Sequence, residues 1–277
     1  MHFNKTETAR MHKYFFYFIF ILLIFLAGLN FYSKFLVKPT PSRIENLEEE
    51  FDANLYKLNT LSNVIQFVDN QYGSNKIDVD DSLVYANLIA RTLRMRFYHG
   101  WSQYGFKDNW VLYLLSPIHE HSLGIVDPND ILKYPEALCS QQAMVGMMAL
   151  RSRGFTFRKV GFYDPKYGNG HFTYEIKLKD GWHFYDIDME LNLHVIESNN
   201  RPSIDSLATN TKMRRAAYSS ETTKIKDELI PKYNNNHPLN VFPAKNMLAF
   251  HRVTLFLSFT LWFWVGLFFG LHRLIRK

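Results

Sequence analysis

Cys139 is the single cysteine of this 277-residue chain. Being alone, it excludes an intramolecular disulfide and any multi-cysteine zinc site. It stands directly before a run from Ser140 to Arg153 whose Ala143, Val145, Met147, Met148 and Leu150 read as a helix ended by Gly154. Unpaired N–H groups and the positive end of the helix dipole would then face the sulfur and favour the thiolate. A thiol nucleophile also needs a base, and His171 follows 32 residues later, with Asp186 another 15 residues on.

Other reactive types offer less. His119, Glu120 and His121 are successive residues of a loop and do not converge as metal ligands do, so no metal site and no cofactor are expected. His183 is read on the opposite strand face from Trp182. Gly168 and Gly170, flanking Asn169, read as a flexible turn ahead of His171 rather than a phosphate cradle.

Strands must carry the histidine and the aspartate. Phe157 to Tyr163, His171 to Leu178 and Trp182 to Met189 have the composition of three strands, and Lys179, Asp180 and Gly181 join the last two as a hairpin. With Asp180 and Gly181 as a two-residue turn, Lys179 pairs with Trp182. His171 then opposes position 190, four residues from Asp186. Bringing His171 and Asp186 together therefore requires a bulge or a longer turn. Upstream, Ile44, Leu47, Phe51, Leu55, Leu58, Ile65 and Val68 follow a helical period with Glu48, Glu49 and Glu50 near its start. A second helix is expected from a cap at Asp80 or Asp81 through Leu83, Ala86, Ile89 and Leu93 to Gly100, with Arg91, Arg94 and Arg96 as its solvated face. Residues 101–137 are turn-rich, and the polar stretch beyond Leu193 reads as a peripheral extension with two short helical patches. Helices first and antiparallel strands after give an α+β class.

Around these residues lie further landmarks: Ala143 four beyond Cys139, Leu150 and Arg151, Gly154, Arg158, then Val160, Gly161 and Tyr163. His171 is followed by Glu175 and Ile176, and Trp182 by Asp186. In this order, over about residues 136–190, the chain resembles the transglutaminase-like (papain-like cysteine) superfamily. It departs from the pattern at Thr173, where that family often has Trp, at Ile187 and Asp188 in place of Pro-Thr, and at Ala137, where Gly is common. The resemblance implies a papain-like core, a Cys helix packed on an antiparallel sheet. It also implies Cys139 as nucleophile, His171 as general base and then acid, and Asp186 as the carboxylate orienting the imidazole. An oxyanion hole would take the Cys139 backbone N–H and one upstream donor, for which Trp101, Gln103 and Trp110 are all candidates. The plainer alternatives are a packing cysteine and an ordinary hairpin pair.

Composition sets the surroundings of this core. Apolar residues make up 47% and aromatics 16%, enough to fill a core and too much for a disordered chain. The net charge of +6 suggests nucleic acid, yet residues 38–246 hold 24 Lys and Arg against 25 Asp and Glu, so no nucleic-acid partner is expected. Basic residues gather instead at Lys5, Arg10 and Lys13 and at Arg273, Arg276 and Lys277, flanking two uncharged runs, Tyr14 to Phe31 and Val253 to Leu271. Each run is long enough to span a bilayer, and no clear signal-peptidase site follows the first. The expected organisation is a tail at 1–13, a span at 14–37, a domain at 38–246 with its core at about 80–193, a span at 247–271 and a tail at 272–277. Short basic tails place themselves in the cytoplasm and the domain outside. Two spans without intramembrane acid offer no transport pathway.

The resulting expectation is a membrane-anchored cysteine hydrolase or acyltransferase acting on an amide or ester through a thioester on Cys139. A peptide or cell-envelope substrate suits a domain held at a bilayer. The alternative is a non-catalytic module of the same fold, a scaffold or partner-binding domain in a complex with other membrane proteins.

Overall fold

The computed structural model describes residues 5–36, 51–73, 82–118, 121–163, 170–189, 192–218 and 224–275. The segment with Glu48 to Glu50, the Asp80 and Asp81 cap, His119, Glu120, Gly168 and Asn169 lie outside them. In chain order the helices are α1 (Lys5–Phe31), α2 (Leu61–Tyr72), α3 (Ser82–Arg96), α4 (Trp110–Leu115), α5 (Pro128–Ile131), α6 (Cys139–Arg151), α7 (Leu193–Ser198), α8 (Ile204–Thr209), α9 (Thr211–Ala217) and α10 (Lys245–Ile275). The strands are β1 (Tyr98–His99), β2 (Glu136–Ala137), β3 (Thr156–Tyr163), β4 (Gly170–Lys177), β5 (Trp182–Tyr185) and β6 (Tyr233–Asn234). The class is α+β, with an antiparallel sheet. Contacts divide the chain into two units.

One unit comprises Met1–Pro41, Gln103–Gly124 and Asn246–Lys277. Its α1 and α10 contain apolar stretches, Lys13–Phe35 and Lys245–Gly270, long enough to cross a membrane. The 103–124 stretch packs with these helices, an association its sequence does not signal. Asn109 caps α4 and donates from Nδ2 to Thr254 Oγ1 at 2.8 Å, and Trp110 Nε1 donates to the Ser258 carbonyl at 2.8 Å. Lys34 Nζ donates to the carbonyls of Lys107 and Asp108, both at 2.9 Å.

The other unit, Ser42–Ser102 and Ile125–Lys245, holds the sheet, in the order β5-β4-β3-β6. Side chains alternate along a strand, so each strand serves two layers. Tyr174 of β4 meets α6 at Gly146, where an added Cβ would lie 2.8 Å from the Tyr174 hydroxyl and 2.9 Å from Ile187 Cδ1. Val160, Phe162 and Phe184 form a core with Ile196, Ile204, Leu207, Ala217, Tyr218, Leu229 and Ile230. The stretch beyond Leu193, expected to be peripheral, is therefore corrected. Its scattered apolar residues lie on short helices, too brief to show a period, that cover the sheet, and β6 extends that sheet beside β3.

Three further expectations change. The long amphipathic helix is interrupted: a 3-10 turn at Ala53–Lys57 is followed by Thr60, whose side chain accepts the Asn63 N–H and starts α2. Arg96 leaves the solvated face, because it lies three residues from Leu93 and seven from Ile89, on the buried side of α3. There it donates to the carbonyls of Leu58, Tyr134, Tyr56 and Leu132, and burial pushes its pKa down to about 10. Third, the hairpin turn is longer than two residues. Lys177, not Lys179, pairs with Trp182, and the Leu178 N–H donates to the Gly181 carbonyl. The third strand ends at Tyr185, which leaves Asp186 free of the ladder.

Candidate active site

Cys139 is the first residue of α6, and its side chain is half-buried. Leu138 occupies the N-cap without a side-chain acceptor, so the helix start depends on Gln141. That residue is buried; its Oε1 accepts the Leu138 and Ser102 N–H groups, both at 3.1 Å. Its Nε2 donates to the carbonyls of Ser102 at 2.7 Å and Ile125 at 2.8 Å. One glutamine thus satisfies the chain on either side of the 103–124 excursion and fixes the turn that carries the thiol.

His171 is the second residue of β4. Register pairs it with Phe162, whose ring stacks on the imidazole at a centroid distance of 5.6 Å. The neighbouring position must be glycine: a Cβ on Gly170 would lie 2.5 Å from the Phe162 carbonyl oxygen. His171 Nε2 lies 2.7 Å from Asp186 Oδ2, and both side chains are buried. The same carboxylate oxygen accepts the Tyr218 hydroxyl at 2.8 Å, while Oδ1 accepts the Met189 N–H at 3.1 Å. Burial alone would lower the His171 pKa, but the charge and hydrogen bond of Asp186, with hydrogen bonding from Cys139, hold it well above its ordinary value. For Asp186, burial is outweighed by the charge and hydrogen bond of His171 and by Tyr218, so its pKa is lowered.

The sulfur of Cys139, a ring nitrogen of His171 and a carboxylate oxygen of Asp188 all lie within 4.8 Å of one another. The three sequence-selected residues are therefore brought together, and Asp188 joins them. Asp188 is held by Gln142 Nε2 at 2.8 Å and lies 3.0 Å from His99 Nδ1; Gln142 Nε2 also donates to the Ala137 carbonyl at 3.0 Å. Sequence reasoning missed these supports. Gln142 stands three residues after Cys139 and offered a weak signal, whereas Tyr218 and His99 come from distant segments with none.

The proposed upstream oxyanion donors separate. Trp110 is corrected, since its indole N–H is committed to Ser258 in the unit of the apolar helices; Gln103 belongs to that unit too, bridged to Gly124. Trp101 stays in the unit of Cys139 and is 40% exposed. His183 points elsewhere, its Nε2 on Asp180 and its Nδ1 on the Arg201 carbonyl. No family model matches the chain, and searches of curated proteins and solved structures give no match.

Proposed function

We propose that this protein is a membrane-anchored cysteine enzyme that cleaves or transfers the acyl group of an amide or ester. The observation that carries this reading is the buried His171–Asp186 pair, 2.7 Å apart, set beside the thiol at the start of α6. A buried imidazolium is costly unless it is paired, and here its partner is itself held by Tyr218 and Met189. In the proposed cycle the Cys139 sulfur adds to the substrate carbonyl, and the departing amine or alkoxide takes the His171 proton. A thioester remains. Neutral His171 then accepts a proton from water or an amine as that nucleophile attacks, and the sulfur departs as thiolate beside the re-formed imidazolium. The order of residues in the transglutaminase-like superfamily supports the same assignment, with a papain-like core around α6 and the sheet. A peptide or cell-envelope acyl donor suits a domain tethered to a bilayer.

Alkylation of Cys139 by iodoacetamide tests the reading, because no other thiol competes. The expected reaction persists well below the ordinary thiol value of about 8.5, and His171→Ala removes that low-pH limb. A profile that follows an ordinary thiol and ignores His171→Ala would leave a scaffold module as the better description.

A further inference from the structure

The donor cluster supports a second chemistry that does not depend on catalysis. We propose that Cys139, His171 and Asp188 form a zinc-binding site, and that zinc holds the thiol in an inactive state. The three donor atoms lie within 4.8 Å of one another and need to close by at most about 1.5 Å. Ligands on a tetrahedral zinc at 2.0–2.3 Å are separated by about 3.3–3.6 Å. The donor set selects the metal: a sulfur, an imidazole nitrogen and a single carboxylate suit zinc, whereas magnesium and calcium demand oxygen throughout.

Orientation of the ligands is already provided. His171 commits Nε2 to Asp186, which leaves Nδ1 as the nitrogen available to a metal, the carboxylate–histidine arrangement that supports metal ligands generally. Asp188 is steadied by Gln142 Nε2 at 2.8 Å and His99 Nδ1 at 3.0 Å, and Gln142 is anchored in turn on the Ala137 carbonyl. Three protein ligands leave a fourth position for water. Binding sends any proton held on the sulfur or on His171 Nδ1 to solvent, and forms bonds from zinc to sulfur, nitrogen and oxygen. The sulfur lone pair needed for attack on a carbonyl is then occupied, so metal binding and acyl transfer exclude each other.

The test uses the full-length protein in detergent, stripped with EDTA and dialysed. Zinc chloride is titrated while iodoacetamide alkylation of Cys139 is followed by mass spectrometry. Micromolar zinc should abolish alkylation at one metal per chain, and millimolar magnesium should not. Asp188→Asn should weaken protection by at least about tenfold, and Asp186→Asn, acting through His171, by about 10–100-fold. Each variant is first shown to be folded without metal by a wild-type circular dichroism spectrum and a cooperative melt. Full alkylation of the wild type in excess zinc would overturn the proposal, as would an Asp188→Asn variant protected at the wild-type zinc concentration. Alkylation in EDTA alone reads thiol reactivity, so failure of the zinc site and failure of the cysteine-enzyme reading are separate outcomes.

Discussion

At the scale of single residues, two aspartates near one imidazole invite a choice between them. Asp186 contacts His171 Nε2 and is buried beneath Tyr218, whereas Asp188 lies on the sulfur side and is shared by Gln142 and His99. Asp186→Asn keeps the shape but presents the wrong hydrogen-bond donor and cannot stabilise imidazolium. Turnover should fall on the order of 10³–10⁴-fold, while Asp188→Asn costs far less. The same pair sets a pH window for stability. His171 has a raised folded pKa, so its contribution is full below about pH 6.5 and is lost as pH rises through the folded value. Asp186 has a lowered one, so its contribution is present above about pH 3.9 and lost as pH falls through the folded value. Melting temperature should therefore be highest between these limits, and Asp186→Asn should flatten both flanks in a scan of unfolding against pH.

At the scale of elements, the turn that carries the thiol depends on a side chain that reacts with nothing. Gln141→Leu removes four hydrogen bonds and strands backbone groups of Ser102, Ile125 and Leu138 in a buried place. The cost should exceed about 3 kcal/mol, seen as a fall of about 6–12 °C in melting temperature. Gly170→Ala should be comparably damaging and should also disturb His171, because the collision is with backbone rather than a yielding side chain. These elements show where the sequence was legible. Cys139 at a helix start, the strands and their hairpin follow from local pattern, since each writes its own period into adjacent residues. The turn length was not local: only the pairing of Lys177 with Trp182 against the rest of the sheet decides it. Arg96 and the segments beyond Leu193 escaped because their partners come from far along the chain, and a charge type or a polar average hides the few atoms that are buried.

At the scale of the whole molecule, two apolar helices put the two ends of the described chain on one side of any bilayer they both cross. We propose that the basic residues flanking the two apolar runs face the cytoplasm, since the nearly neutral charge of residues 38–246 offers no comparable retention signal. A domain outside the membrane meets oxidising conditions, where a single cysteine has no intramolecular partner and can stay reduced unless another molecule supplies one. The topology is therefore open to a direct measurement. A membrane-impermeant maleimide added to intact cells, with a chelator present to clear metal, should label Cys139, and a Cys139→Ser control should remain blank. Labelling only after lysis would place the domain in the cytoplasm. An epitope at the N-terminus should remain on the labelled band, because cleavage behind the first apolar run would remove it. Retention of the epitope together with labelling from outside shows that the first apolar run is kept and the domain lies outside, whereas labelling with loss of the epitope would leave α10 as the candidate anchor.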